Sequence, residues 1–244
     1  MPLAMFTGGG SWFVREASRN LIDDGWHVAL SDIDLDGAKK NAEAIGGDNV
    51  ASVDRLDVTD LAAVQNYADA LIEKHGAIDA LVNVAGGTNY LQMGRPPFHK
   101  TKPEEWHRVL GPNIHGTLNC CYGVIPHMIK AQAGTIINLS SGMGLRGKGN
   151  MALYSFAKGG IVRFTQSLCE ELGQYNIRVN SIAPGSAESR WMPDLKPAEG
   201  GTAPPIGTRT SAKDVGDAIH FLISERAKHI TGICLDVSGG TSLH

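Results

Sequence analysis

Short apolar runs alternate with longer helical patterns along all 244 residues, and this alternation restricts the fold more than any other feature of the sequence. Most of the runs are continuous and rich in β-branched residues, which is typical of strands that helices cover on both faces. Alternating strands and helices predict right-handed crossovers, and therefore an α/β fold with one parallel, doubly wound sheet. The predicted strands are residues 3–7, 27–32, 50–56, 80–84, 134–139, 177–182 and 234–237.

Helical patterns fill the intervals between these strands. They cover residues 15–24, 36–45, 61–75, 102–132, 154–175 and 212–224. No Pro/Gly/Ser-rich linker or charge block divides the chain, and 42% of the residues are hydrophobic, so we predict a single domain over residues 1–244. Ligands of such sheets bind at the carboxyl ends of the strands, where functional residues are therefore expected.

The composition argues against several classes of partner. With a formal net charge of −3, no nucleic acid or anionic membrane is expected as a partner. No apolar run approaches the roughly 20 residues that cross a bilayer, and the first strand begins too early for a signal peptide. The four cysteines form no C-x-x-C pair and have no histidine at metal-ligand spacing, which predicts reduced thiols in the cytoplasm and no metal site. They are Cys120, Cys121, Cys169 and Cys234.

A glycine-rich turn follows the first predicted strand and leads into a helix. Residues 7–14 read Thr-Gly-Gly-Gly-Ser-Trp-Phe-Val. Backbone N–H groups in such a turn can approach a pyrophosphate at the helix N-terminus. Three adjacent glycines also suit a plain flexible turn, so this motif alone leaves both interpretations open.

Carboxylate and amide side chains recur where the next strands end. Asp32 ends the second strand, where a carboxylate accepts both ribose hydroxyls of NAD and repels the extra phosphate of NADP. Asp57 and Val58 follow the third strand, and residues 83–86, Asn-Val-Ala-Gly, follow the fourth. Turn chemistry explains each of them taken alone. Their recurrence at successive strand ends favours a dinucleotide site.

Tyr154 and Lys158 are spaced i and i+4, which places a phenol and an ammonium on one helix face. A nearby cation lowers the pKa of a phenol, so that tyrosine becomes usable as an acid and base, although the spacing also describes an ordinary surface pair. Ser141 comes just after the fifth strand and is placed to polarise a substrate oxygen. Asn113 follows Pro112 in a long helix, where a kink would free a carbonyl to hold a water in a proton relay.

In this order and spacing, the motifs resemble those of the short-chain dehydrogenase/reductase family across nearly the whole chain. Further matches are Arg178-Val179-Asn180, Pro184-Gly185, Ile230-Thr231-Gly232, Asp236 and Gly239-Gly240. The resemblance implies a Rossmann-like, NAD-dependent oxidoreductase that interconverts a secondary alcohol and a ketone. It also implies a homo-oligomer, either a tetramer or a dimer.

The same resemblance implies a catalytic tetrad. Tyr154 would pass a proton to or from the substrate oxygen, and Ser141 would position that oxygen. Lys158 would hold the nicotinamide ribose and tune Tyr154, and Asn113 would anchor the relay water.

A second set of residues is assigned to cofactor binding by the resemblance. Pro184 and Gly185 would line the nicotinamide face, with Ala187 and Ser189 near its carboxamide. The full set is Thr7, Gly8, Ser11, Trp12, Phe13, Asp32, Ile33, Asp57, Val58, Asn83, Ala85, Gly86, Tyr154, Lys158, Pro184, Gly185, Ala187 and Ser189.

The glycine motif departs from the family pattern T-G-x-x-x-G-x-G, because Trp12 and Val14 replace its last two glycines. An indole adds a large ring where the backbone normally touches the cofactor, and a β-branched Val interferes with close helix–strand packing. In one interpretation the loop turns Trp12 aside and the enzyme remains a dehydrogenase. In the other, Trp12 occupies part of the cofactor site, as in relatives without nicotinamide such as halohydrin dehalogenases, or as in a lyase or a non-catalytic binding relative. Asp32 and Lys158 favour the dehydrogenase, because halohydrin dehalogenases typically lack that Asp and carry Arg in place of the Lys.

Substrate contacts are expected from three loops, at residues 87–99, 142–153 and 186–210, the last with the length of a mobile lid. The predicted substrate contacts are Met143, Leu145, Arg190 and Trp191. Five cations lie in or beside these loops: Arg95, Arg146, Lys148, Arg190 and Arg209. Clustered cations suit a carboxylate, sulfonate or phosphate on the substrate, although loops commonly carry solvated cations as well.

Overall fold

A seven-stranded parallel sheet forms the centre of the protein. The computed structural model describes residues 1–46, 49–88, 95–187 and 204–242. The strands are β1 Leu3–Thr7, β2 His27–Asp32, β3 Val50–Arg55, β4 Ala80–Asn83, β5 Gly134–Leu139, β6 Ile177–Pro184 and β7 Cys234–Val237. Their order across the sheet is β3-β2-β1-β4-β5-β6-β7, and each neighbouring pair is parallel. The predicted doubly wound α/β fold is confirmed, and the predicted strand ends are correct to within two residues.

Helices cover both faces of this sheet. They are α1 Trp12–Asp23, α2 Leu35–Ile45, α3 Leu61–His75, α4 Trp106–Leu110, α5 Gly116–Ala131, α6 Gly142–Leu145, α7 Ala152–Leu172 and α8 Ala212–Ile223. Within the described ranges, no helix combines the length and apolar character needed to cross a bilayer.

The predicted helical stretch over residues 102–132 is present, but it consists of several segments. This region begins with a 3-10 turn at Pro103–Glu105, continues as α4, widens into a π-helix at Gly111–His115 and ends as α5. Pro112 has no N–H to donate to the preceding turn, so the ladder of α-helical hydrogen bonds is interrupted at this residue. The expected break at Pro112 is thus present, in the form of a wider turn.

The two faces of the sheet form separate hydrophobic cores, because successive side chains of a strand point to opposite faces. In β1, Leu3 and Met5 pack into a core with α3, α5 and α7, whereas Ala4 and Phe6 pack into a core with α1 and α8. Burial on both faces explains why the strand sequences are continuously apolar.

Val14, one of the departures from the family pattern, lies fully buried in the core beneath α1 and α8. A Cβ on Gly216 of α8 would lie only 2.8 Å from the backbone nitrogen of Ala17 in α1, so this glycine permits a close approach of the two helices. The β-branched side chain of Val14 is therefore accommodated within the core that α1 and α8 form on this face of the sheet.

Candidate active site

A cleft of about 1100 Å³ opens at the carboxyl ends of the strands, at the point between β1 and β4 where the order of strands across the sheet reverses. This volume exceeds the range usual for one small ligand and suits a cofactor together with a substrate. The predicted residues that line it are Gly8, Ser11, Phe13, Asp32, Ile33, Asp57, Val58, Ala85, Gly86, Ser141, Met143, Tyr154, Lys158, Pro184, Gly185 and Ala187. Those that lie off its lining are Thr7, Trp12, Asn83, Asn113 and Leu145. Ser189, Arg190 and Trp191 are outside the described residues.

The glycine-rich turn forms one wall of the cleft. Gly8 has a φ of +69°, and a Cβ there would lie 2.8 Å from the backbone nitrogen of Ala85, so the position requires glycine. The Thr7 hydroxyl accepts hydrogen bonds from the N–H groups of Val84 and Ala85, both at 3.2 Å. Thr7 thus fastens the end of β4 to the turn and acts from behind the lining.

Trp12, the first residue of α1, lies off the cleft lining, and Phe13 lines it instead. The Arg15 guanidinium lies 5.4 Å from the centroid of the indole, which is a cation–π arrangement. Ser11 caps the helix, and its Oγ accepts from the Phe13 N–H at 3.3 Å. The interpretation in which Trp12 occupies part of the cofactor site therefore disagrees with the structure.

Two carboxylates occupy the end of the cleft formed by β2 and β3. Asp32 is 7% exposed, and its Oδ2 and Oδ1 accept from the N–H groups of Gly10 and Asp34 at 2.8 Å and 2.9 Å. Asp57 accepts from the N–H and hydroxyl of Thr59 at 2.9 Å and 2.7 Å. Both carboxylates therefore accept hydrogen bonds from neighbouring turns and also line the cleft.

Asn83 lies beneath the cleft in a buried polar network between β4, β5, α5 and α7. Its amide donates to Oδ1 of Asn138 at 2.9 Å and to Sγ of Cys121 at 3.4 Å. The Asn138 amide in turn donates to the Thr165 hydroxyl at 3.0 Å. Asn83 thus holds the end of β4 against β5 and is a supporting residue of the site.

The Tyr154 phenol and the Ser141 hydroxyl both line the cleft, and Ser141 lowers the pKa of the phenol. Ser141 caps the short helix α6, and its Oγ accepts from the Met143 N–H at 3.2 Å. Lys158 lies one turn along α7 from Tyr154, with Nζ 5.9 Å from the centroid of the phenol ring. This Nζ donates to the Leu139 carbonyl at 2.7 Å.

Burial dominates the electrostatics of this pair. It raises the pKa of the Tyr154 phenol, and the hydrogen bond with Ser141 acts in the opposite direction. It lowers the pKa of the Lys158 ammonium to about 8. The expectation that Lys158 lowers the pKa of Tyr154 differs from the structure: desolvation raises this pKa, and the Lys158 Nζ is hydrogen-bonded to the Leu139 carbonyl.

Asn113 lies in the π-helix, fully buried, and clamps the loop that follows β4. Its Oδ1 accepts from the Gly87 N–H at 2.8 Å, and its Nδ2 donates to the carbonyls of Gly87 and Val109 at 3.0 Å and 2.9 Å. Its main-chain carbonyl accepts from the Thr117 hydroxyl at 3.3 Å. The side chain therefore positions the loop, and the relay water stays a prediction.

Known proteins are similar to this chain over nearly its whole length. Residues 14–242 match the family model described as enoyl-(acyl carrier protein) reductase. The 3-oxoacyl-[acyl-carrier-protein] reductase FabG of Thermotoga maritima is 32% identical, over 98% of this chain and 96% of its own length. The chain belongs to the short-chain dehydrogenase/reductase family. It is therefore an oxidoreductase by family.

Two solved structures have the same fold as this chain. A 3-ketoacyl-(acyl-carrier-protein) reductase from Brucella melitensis, complexed with NADH, has a TM-score of 0.87 and 30% identity, covering 99% of this chain and 98% of that one. ElxO with NADP bound has a TM-score of 0.87 and 25% identity, covering 98% of each chain. Because one relative holds NADH and the other NADP, the family likeness leaves the choice of dinucleotide to the residues of the cleft.

The cleft of this short-chain dehydrogenase/reductase fits a nicotinamide dinucleotide. Gly8 and Gly185 keep the backbone itself on the lining, and a Cβ on Gly185 would lie 2.8 Å from Cα of Ser238. Asp32 supplies a buried acceptor where the ribose of such a cofactor lies in the fold. Across the described parts of the chain, no group of three or more His, Cys, Asp or Glu side chains is arranged to bind a metal.

Two residues that position the tetrad have no recognisable sequence motif. The Ser140 hydroxyl donates to the Lys158 carbonyl at 2.8 Å, and a Cβ on Gly144 would lie 2.6 Å from that same oxygen. These contacts press α6 and the end of β5 against α7 beside Lys158. In the sequence, Ser140 could be noticed only as a second serine next to Ser141. Its partner Lys158 lies 18 residues away, so the contact could not be predicted.

Proposed function

We propose that this protein is an NAD-dependent oxidoreductase that interconverts a secondary alcohol and a ketone by hydride transfer, with Tyr154 as acid and base. The observation that carries the proposal is that Ser141, Tyr154 and Lys158 line one cleft, with Lys158 buried one helical turn from Tyr154. A phenol, a hydroxyl and an ammonium at one point of a dinucleotide-sized cleft suit proton transfer to an oxygen.

Chemically, the bound dinucleotide supplies the donor or acceptor of the hydride. In ketone reduction the carbonyl carbon gains a hydride and the oxygen gains the Tyr154 proton, and in alcohol oxidation both transfers are reversed. The raised pKa of Tyr154 keeps the phenol protonated at neutral pH, which suits the reductive direction. The Ser141 hydroxyl donates to the same oxygen and stabilises its developing charge. Lys158, with a pKa of about 8, is matched to proton exchange near neutral pH.

The preference for NAD is proposed from the Asp32 carboxylate. Its two oxygens are fixed by the N–H groups of Gly10 and Asp34, so the charge cannot move out of the way of a second phosphate. Repulsion between this charge and the 2′-phosphate of NADP disfavours that cofactor.

The substrate is proposed to carry an anionic group. The carboxylates that line the cleft, Asp32, Asp34 and Asp57, follow β2 and β3. The Lys and Arg residues that line it follow β4, β5 and β6, on the other side of β1, and are Arg95, Arg108, Arg146, Lys148, Lys158 and Arg209. The positively charged end of the cleft therefore attracts a negatively charged group of the substrate. The names of the relatives make 3-oxoacyl thioesters the first substrates to test.

A homo-oligomer is also proposed. Helix α5 exposes Leu118 and Tyr122, and α7 exposes Phe156, on helices that pack against the same face of the sheet. Exposed large apolar side chains on such a face favour contact with a second copy of the chain. Sedimentation of the purified protein as a monomer would contradict this proposal.

A cytoplasmic location is proposed as well, because the four free thiols favour a reducing compartment.

The proposed reaction is tested by titrating the protein with NADH and with NADPH while recording nicotinamide fluorescence. Turnover is then measured with matched ketones that differ in one carboxylate, and with a 3-oxoacyl thioester. We expect tighter binding of NADH and a higher kcat/KM for the anionic ketone. Binding of neither dinucleotide would overturn the redox proposal, and equal binding of both would overturn the NAD preference. Equal kcat/KM for the neutral and anionic ketones would overturn the substrate class.

A further inference from the structure

The glycine-rich turn is held in shape by a side chain that lies outside its own sequence. Asn41 is on α2, and the residue is 5% exposed. Its Nδ2 donates to the carbonyls of Gly9 and Ser11, both at 2.8 Å. A single amide therefore spans the turn and fastens it to α2, about 30 residues further along the chain.

Strand β2 fixes the same turn from a second side. The Gly9 N–H donates to the Ser31 carbonyl at 2.8 Å, and the Gly10 N–H donates to the Asp32 carboxylate at 2.8 Å. The turn between β1 and α1 is therefore anchored through its N–H groups to β2 and through its carbonyls to α2.

The orientation of these carbonyls decides where the helix N-terminus presents its donors. A trans peptide holds its C=O and N–H groups antiparallel. Because the Ser11 carbonyl is directed at Asn41, the N–H of Trp12 in the same peptide is directed away from α2. That N–H belongs to the first turn of α1, whose donors have no partner within the helix and suit a pyrophosphate.

We propose that Asn41 is a positioning residue for the dinucleotide, acting by fixing the glycine-rich turn without touching the cofactor. In the family pattern, glycines at positions 12 and 14 give the turn its shape, and this chain has Trp12 and Val14 there. The Asn41 amide takes over part of that task through two hydrogen bonds to the turn. The inference rests on the proposed use of NAD and adds to it the residue that keeps the turn in its binding conformation.

Asn41→Asp is the sharpest test, because it preserves the size of the side chain. It replaces Nδ2 and its two N–H donors by one carboxylate oxygen that faces the two carbonyl oxygens. Asn41→Ala is the milder variant, since it leaves space in which water can satisfy the carbonyls. Asn180→Asp is the matched control: Asn180 is fully buried, its amide donates to the Ile230 carbonyl at 2.8 Å, and it lies off the cleft lining.

Three quantities are measured for each variant: the Kd for NADH by calorimetry, kcat at saturating NADH, and Tm without ligand. For Asn41→Asp we expect the Kd to rise about 10-fold or more, because two buried carbonyls lose their donors and the turn reorients. Asn41→Ala should show a smaller rise of the same sign. With NADH saturating, kcat should stay within about twofold, since the Tyr154 region is unchanged. Asn180→Asp should lower Tm and leave the Kd for NADH unchanged.

Failure of this inference is distinguishable from failure of the proposed function. If the wild-type protein does not bind NADH, both are overturned. If the wild-type protein binds NADH and the Asn41 variants bind it with the same Kd, only the role of Asn41 is overturned. The same conclusion follows if kcat falls while Kd is unchanged, or if Asn180→Asp raises Kd as much as Asn41→Asp does. Should Asn41→Asp fail to fold, Asn41→Ala decides between these outcomes.

Discussion

The two halves of the cleft are built in different ways. In the cofactor half, from β1 to α2, the local motif is incomplete at Trp12, and distant side chains such as Asp32 and Asn41 hold the turn in place. In the catalytic half, from β5 to α7, the motif residues are all present, and Ser141, Tyr154 and Lys158 line the cleft together. There the surroundings decide the chemistry, because burial sets the pKa of both Tyr154 and Lys158. The shape of the glycine-rich turn is thus maintained by residues outside the motif, whereas the pKa values of Tyr154 and Lys158 are determined by their burial.

The largest expected effect separates the two halves directly. Tyr154→Phe removes the proton donor and keeps the ring, so kcat should fall by about 10³-fold or more. The Kd for NADH should change by less than about twofold, because the cofactor half is untouched. Single-turnover kinetics and NADH fluorescence measure the two quantities. A near-normal kcat would remove Tyr154 from the mechanism.

Asp32→Asn tests whether the cofactor half selects its dinucleotide by charge. Loss of the carboxylate charge should shift the ratio of the Kd values for NAD and NADP by about 10-fold towards NADP. The free energy of unfolding should fall by about 1–3 kcal/mol, because the N–H of Gly10 or Asp34 then faces an amide nitrogen. Asp57→Asn is the control, since its partner Thr59 lies within its own turn. An unchanged Kd ratio would show that the charge of Asp32 does not select the cofactor.

Lys158→Met tests the dominance of burial in the catalytic half through the pH dependence of stability. Burial lowers the pKa of Lys158 from 10.5 to about 8, so between these two values the unfolded chain binds more protons than the folded one. Wild-type stability should therefore rise with pH across this window, by roughly 3 kcal/mol at most relative to Lys158→Met. Urea unfolding of both proteins from pH 7 to pH 10.5 gives the difference. A pH-independent difference would mean that burial does not control this amine.

The smallest effect is expected at the most unusual residue of the motif. Trp12→Gly removes an indole that lies off the cleft lining, so the Kd for NADH should change by less than about threefold. Loss of the contact with Arg15 and a glycine in the first turn of α1 should lower the free energy of unfolding by about 1 kcal/mol. A Kd that falls 10-fold would mean that the indole obstructs the cofactor.

Residues just after strands were predictable from the sequence, because parallel strands bring their carboxyl ends to one edge. Their exact tasks were less predictable. Thr7 and Asn83 were expected at the cofactor, yet both lie behind the lining and hold β4 in position. Asn113 was expected to hold a water, and its side chain clamps Gly87. A motif predicts that a residue lies at the end of a strand. Whether its side chain reaches the cleft or lies behind the lining depends on the helices and strands packed around it.

The sequence by itself determined the parallel doubly wound sheet, the position of the cleft and the family, because apolar periodicity and strand-end motifs are local signals. Only the tertiary structure decided that Phe13 and not Trp12 faces the cleft, that Asn41 braces the turn, and that the pKa of Tyr154 is raised. Those features depend on contacts between residues about 20 to 30 positions apart and on the amount of water that packing excludes. Neither quantity is encoded in any short stretch of chain.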